Sequence, residues 1–215
     1  MFVGQRMTKH PVVCGPEMPV DEALNFMRHE KIRRLPVVDD NRNLLGIVSE
    51  KDLLYVSPSP ASTLSVFEMH YLLSKIKIRD VMTAKVITVT EDTLLEDAAR
   101  IMVDNKIGGL PVLRNGKLIG IITETDVFKI FLELLGTREL GCRVSALVPE
   151  GRGVLAQLTA AISAKGGDFV SIGTFLGEDA SNRMIVFRVR GIEMEDVKVA
   201  LESVGAKESD ITMIC

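Results

Sequence analysis

Residues 6–54 and 78–128 carry nearly the same sequence twice, so any fold for this chain must accommodate two similar units. The first copy is RMTKHPVVCGPEMPVDEALNFMRHEKIRRLPVVDDNRNLLGIVSEKDLL. The second is IRDVMTAKVITVTEDTLLEDAARIMVDNKIGGLPVLRNGKLIGIITETDVF. Met7-Thr8 aligns with Met82-Thr83, Leu35-Pro36-Val37 with Leu110-Pro111-Val112, and Gly46-Ile47-Val48-Ser49 with Gly120-Ile121-Ile122-Thr123. A long period seen only twice predicts a pseudo-symmetric pair, because a solenoid needs more units to bury its faces. Two units related by a pseudo-two-fold leave a cleft with two related half-sites.

Each repeat reads as strand, helix, strand, strand, helix. Val20, Ala23, Leu24 and Met27 have the spacing of one helix face, and Leu95, Ala98, Ala99 and Met102 repeat it. Thr93 and Glu96 predict a capping box at the second helix, and Pro19 predicts a first helical position in the other copy. Asn115-Gly116 predicts a type I′ hairpin turn. The matching turn in the first repeat is longer, Asp39 to Asn43. Between the copies, Pro58 and Pro60 break the chain, and Ser62 or Thr63 would cap a helix carrying Val66, Met69, Leu72, Leu73 and Ile76. The domain boundaries this predicts are 1–57 for the first repeat, 58–77 for a linker helix, and 78–136 for the second repeat.

After Gly141 the pattern changes. Residues 142–149 read as a strand, and a turn at Gly151-Arg152-Gly153 leads into a helix carrying Leu155, Leu158 and Ile162. Gly166-Gly167 stops that helix. Strands at 168–177 and 183–190, a helix near 193–204 and a strand at 211–214 follow. The order βαββαβ over 140–215 is the ferredoxin-like arrangement. The fold class is therefore mixed α/β: a pseudo-two-fold pair followed by an α+β domain.

Composition narrows the function. A net charge of −3 and the absence of Trp argue against a nucleic-acid surface or an aromatic stacking platform. No run approaches the roughly 18 apolar residues of a membrane span. The first residues lack a signal-peptide core, and Cys14, Cys142 and Cys215 have neither disulfide nor zinc spacing, so a reducing cytoplasm is expected. His10, His29 and His70 are scattered, so no catalytic group, metal site or required cofactor is nominated.

Two features suggest a ligand. Ser49-x-x-Asp52 and Thr123-x-x-Asp126 each follow a buried strand and open a helix. The plain reading is a capping box. The same geometry offers helix N–H groups and a hydroxyl to phosphate, and a carboxylate to a ribose diol. Arg33-Arg34 stand before the Leu35-Pro36-Val37 strand. They are either a solvated pair or phosphate ligands. The second repeat has Gly108-Gly109 there, which leaves the half-sites unequal and lets a ligand approach the backbone. Gly151-Arg152-Gly153 is a weaker anion signal that a plain turn also explains.

The repeated marks Met-Thr, LPVV/LPVL, GIVSEKD and GIITETD resemble the CBS domain, and the tandem resembles a Bateman module. Residues 140–215 resemble an ACT domain. The whole chain, including SPSPASTLSVFEMHYLLSKIKIRDVMT, resembles acetoin-utilisation AcuB-type proteins. That resemblance implies an adenosine ligand such as AMP, ATP or S-adenosylmethionine. It implies Asp52 and Asp126 at ribose, Ser49 and Thr123 near phosphate, and Arg33 and Arg34 reaching phosphate. Adenine would lie on Val12, Val13 and Ile32 at the Asp126 half-site, and on Ile87, Thr88 and Ile107 at the Asp52 half-site, with Gly108 departing from the basic pattern. It also implies a small ligand at the Gly151-Arg152-Gly153 loop and a homodimer or higher homo-oligomer acting on a target enzyme or regulator. A link to acetoin utilisation follows by resemblance, although no residues nominate acetoin chemistry. The expectation is a non-catalytic regulatory sensor. The competing class is an oligomeric scaffold with an empty cleft.

Overall fold

The computed structural model describes residues 1–57, 68, 71 and 74–214. Most of the expected linker helix, including Val66, Met69, Leu72 and Leu73, lies outside the described residues. The chain divides into two compact units, Met1–Val127 and Phe128–Cys215.

The first unit holds both repeats. Its first repeat contains α1 (Val3–Arg6), β1 (Thr8–Lys9), α2 (Val20–Glu30), β2 (Arg34–Val38), β3 (Leu44–Ser49) and α3 (Glu50–Tyr55). The second contains α4 (Ile78–Val81), β4 (Val89–Thr90), α5 (Leu95–Asn105), β5 (Gly109–Arg114), β6 (Lys117–Thr123) and the start of α6 (Glu124–Leu134). The helix faces read from spacing are buried: Val20, Ala23 and Met27 are fully covered, as is Ala98, with Met102 3% exposed. Both helices end on a left-handed lysine, Lys31 at φ 55° and Lys106 at φ 54°. Ile32 and Ile107 N–H then donate to Met27 and Met102 carbonyls, each at 2.9 Å, which satisfies end carbonyls and turns the chain into the next strand.

The repeats exchange their leading segments. β1 pairs with β6 of the other repeat, giving the sheet order β1-β6-β5-β4. Val3 N–H donates to Thr93 O at 2.9 Å, and Gly4 N–H to Glu91 O at 2.8 Å. In return, Thr83 and Ile47 exchange backbone bonds of 2.9 and 3.0 Å, at the edge of the β2–β3 hairpin. Small residues permit this close approach. A Cβ on Gly46 would lie 2.6 Å from Met82 Sδ, and one on Gly120 would overlap Met7 Sδ. The repeated Met-Thr thus packs each leader onto the other repeat's Gly-Ile strand.

Several local expectations are corrected. Val12 and Val13 lie outside any strand, and only Cys14 bridges Val37. Pro19 is the N-cap of α2 rather than its first residue. Thr93 does not cap α5: Leu94 holds that position, and Thr93 Oγ1 accepts from Thr90 N–H at 3.1 Å, closing the preceding turn instead. Asn115 and Gly116 have φ of 51° and 77°, as a type I′ turn requires. In the longer turn, Asp39 accepts from Asn43 and Asn41, and the Asn43 side-chain bond leads in holding its carboxyl below the usual range.

The second unit contains β7 (Gly141–Pro149), α7 (Val154–Ala164), β8 (Asp168–Leu176), β9 (Asn182–Arg190), α8 (Met194–Ser203) and β10 (Lys207–Ile214). The antiparallel order β10-β7-β9-β8 is ferredoxin-like. Alternate residues Cys142, Val144, Ala146 and Val148 join Ile185, Phe187 and Val189 against Leu158, Ile162, Val197 and Leu201. Both helices therefore cover one sheet face. Leu155, expected on that face, is 41% exposed; Val154 and Ala161 pack against the core beside Leu158 and Ile162. The last strand starts at Lys207, earlier than its apolar end suggests.

Candidate functional site

Both Ser/Thr-x-x-Asp motifs form reciprocal caps. Ser49 N–H and hydroxyl donate to Asp52 Oδ2 at 2.8 and 2.6 Å, and Asp52 N–H returns a bond to Ser49 Oγ at 3.3 Å. Thr123 and Asp126 repeat this with 3.0, 2.7 and 3.4 Å. The first helical N–H groups are also used: Glu50 donates to Arg33 O at 3.0 Å, and Glu124 to Gly108 O at 3.1 Å. The expectation of unengaged helix N–H donors for phosphate is therefore corrected at these two positions. In each repeat the residue just before β2 or β5 thus holds the start of α3 or α6.

The half-sites differ in their charge. Arg34 leads β2 but reaches the second repeat, where its Cδ would lie 3.2 Å from a Cβ at Gly109. A Cβ at Gly108 would overlap Arg34 Nη2 and stand 2.5 Å from Glu124 Oε2. Nη2 is 3.8 Å from that carboxylate oxygen. Burial is the main influence lowering the Arg34 pKa; Glu124 opposes it, and neighbouring Arg33 adds to it. Arg34, Gly108, Thr123 and Asp126 are thereby gathered on one side of the unit, with Arg33 exposed beside them.

The expected adenine-facing residues are mostly half-buried. Val12 and Ile32 pack against the first repeat's core, Val13, Thr88 and Ile107 are partly covered, and Ile87 is 39% exposed. Gly151, Arg152 and Gly153 form an exposed turn, and Gly153 at φ 86° is the N-cap of α7. Glu150 beside it pairs with Arg183 at 2.5 Å. A cavity of about 410 Å³, lined partly by Leu140, Cys142 and Ile192, lies at the opposite end of β7.

Burial pushes the Cys14 thiol up to about 11 and raises that of Cys142, so both are protonated at neutral pH and unsuited to nucleophilic work. Among the described residues, no cluster of three His, Cys, Asp or Glu side chains could hold a metal, and no helix is long and apolar enough to cross a membrane. Glu124 is the site residue that motif reading missed. Its signal was its place inside Thr-Glu-Thr-Asp, but its partner is supplied by the other repeat.

The family model for the CBS domain matches residues 3–59 and 78–133, more than half of the chain. The CBS domain-containing protein CBSX2, chloroplastic, of Arabidopsis thaliana is 36% identical over 151 residues, covering 62% of this chain and 63% of its own. The chain thus spans less than two thirds of that relative. A solved structure of a putative acetoin utilization protein (AcuB) from Vibrio cholerae is 33% identical, with TM-score 0.53 over 64% of this chain and 95% of its own. CBSX2 in complex with AMP gives 37% identity and TM-score 0.52 over 61% and 96%. The CBS domain pair of protein MJ0100, solved with 5′-methylthioadenosine and S-adenosyl-L-methionine, gives 25% identity and TM-score 0.51 over 65% and 98%.

Proposed function

Because this chain belongs to the CBS-domain family, we propose that it is a non-catalytic sensor that binds an adenine nucleotide in the cleft of its repeat pair. The observation that carries this reading is the gathering of Arg34, Gly108, Thr123 and Asp126 from two repeats onto one side of one unit. Those groups suit a nucleotide: a guanidinium for phosphate, a carboxylate for a ribose diol, and a backbone without side chains for close approach. The AMP and S-adenosyl-L-methionine complexes of similar CBS pairs support the same ligand class. A ribose diol would share or displace the Thr123 hydroxyl at Asp126, so binding and helix capping are coupled. The Asp52 half-site would take ligand less tightly, since Gly109 stands where Arg34 stands in the other repeat.

Ligand binding would favour one arrangement of the repeats and bias a surface shown to a partner. Leu54 and Tyr55 on α3 are 48% and 90% exposed, which supports self-association through that helix. The second unit would act as an ACT-type module, with an amino acid at the Gly151-Arg152-Gly153 turn; its ferredoxin-like strand order supports this. A role in acetoin utilisation rests on the likeness to the Vibrio protein.

A thermal-shift panel of AMP, ADP, ATP, NAD, S-adenosylmethionine and amino acids tests the reading. A specific ligand at a hundredfold excess over its dissociation constant stabilises the native state by about 2.7 kcal/mol. At this chain length that corresponds to a rise of roughly 5–10 °C. No shift with any adenine compound, in a protein that still self-associates, would favour the competing scaffold reading.

A further inference from the structure

Arg34 belongs to the first repeat, yet its guanidinium rests over the backbone of the second, where Gly108 and Gly109 leave room for it. Its side chain is 25% exposed, whereas that of Glu124, 3.8 Å away, is 57% exposed. The pseudo-symmetric arrangement cannot form. Glu50 occupies the place of Glu124, but Gly109 occupies the place of Arg34 and has no side chain to send back. One half-site therefore already holds a cation with a weak carboxylate partner, and the other has glycine at the equivalent position.

Building on the nucleotide reading, we propose that Arg34 and Glu124 form a latch across Gly108-Gly109 that selects adenosine ligands ending in a 5′-phosphomonoester at the Asp126 half-site. A phosphate offers the guanidinium two oxygens in a planar, bidentate contact and carries more charge than a carboxylate. It takes Arg34 from Glu124, which is exposed and turns to water. Adenosine lacks the group that opens the latch and gains nothing from Arg34. A sulfonium ligand brings positive charge beside Arg34 and its neighbour Arg33, with Glu124 paired to Arg34 as the nearby acid.

Calorimetric titration of the full chain with AMP, adenosine and S-adenosylmethionine tests this, on wild type, Arg34→Ala and Glu124→Gln. Wild type should bind AMP most tightly. Glu124→Gln should tighten AMP binding about threefold and leave adenosine unchanged, because removing an exposed ion-pair partner releases little. Arg34→Ala should cost AMP about tenfold or more and bring it level with adenosine. Thermal melts of the same variants report folding, and the exposed Glu124→Gln change keeps the test open if Arg34→Ala folds poorly. An unchanged AMP preference in Arg34→Ala, unaltered AMP affinity in Glu124→Gln, or tighter binding of S-adenosylmethionine than AMP would each overturn the latch while leaving the nucleotide reading intact. Binding of none of the three would overturn the latch, and the ADP, ATP and NAD arms of the thermal panel then decide the nucleotide reading.

Discussion

Asp126→Ala is expected to weaken adenine-nucleotide binding by at least about tenfold, since charge-assisted hydrogen bonds contribute roughly 1.5–3 kcal/mol each. The same substitution removes the carboxylate that accepts from Thr123 N–H and hydroxyl at 3.0 and 2.7 Å. Loss of a helix cap costs about 0.5–2 kcal/mol, against typical stabilities of about 5–15 kcal/mol, so the fold should survive. Asp126→Asn separates the two roles, because its amide oxygen can still accept from Thr123 N–H while the charge is gone. Paired calorimetry and thermal melts read both effects. Asp126→Ala with normal affinity and a lower melting temperature would reduce this residue to a cap.

Val3→Asp should unfold the second repeat, although the lesion lies in the leader of the first. Val3 is fully buried, α1 packs against β6, and the Val3 N–H donates to Thr93 O. A carboxylate at this fully buried position loses its hydration, and burying a charge costs several kcal/mol, comparable with the stability of a domain. Hydrogen exchange locates the damage. Amides of β5 and β6 should lose protection in the variant. Wild-type protection of those strands, with loss confined to β2 and β3, would mean that the leaders are not exchanged.

The paired repeats and the helix faces were legible because they rest on local periodicity: Val20, Ala23, Leu24 and Met27 are all buried as spaced. The leader exchange was not legible. It depends on Gly46 and Gly120 admitting Met82 and Met7 from far along the chain, and no local pattern names that partner. The same holds at the candidate site. Ser49, Asp52, Thr123 and Asp126 announced themselves by spacing, and capping explains that spacing without a ligand. Arg34 was visible as a cation, but Glu124 became its partner only through the pseudo-two-fold. Thr93 misled because its hydroxyl serves two neighbouring turns equally well on paper, and the structure uses it at Thr90. The first strands shrank to two residues in the second repeat and a single bridge at Cys14 in the first, on the hairpin edge opposite to the one that the other repeat's leader pairs with.

The most direct measurement is calorimetric titration of the wild-type full chain with AMP, beside GMP as a base control. The account predicts saturable binding of AMP, with GMP weaker, because half-buried apolar residues around Val12, Val13 and Ile32 would leave guanine's additional polar groups without hydrogen-bond partners. Flat heats for AMP across the millimolar range, and for ATP and S-adenosylmethionine under the same conditions, from a folded protein, would contradict the sensor reading and leave the repeat pair as a structural scaffold.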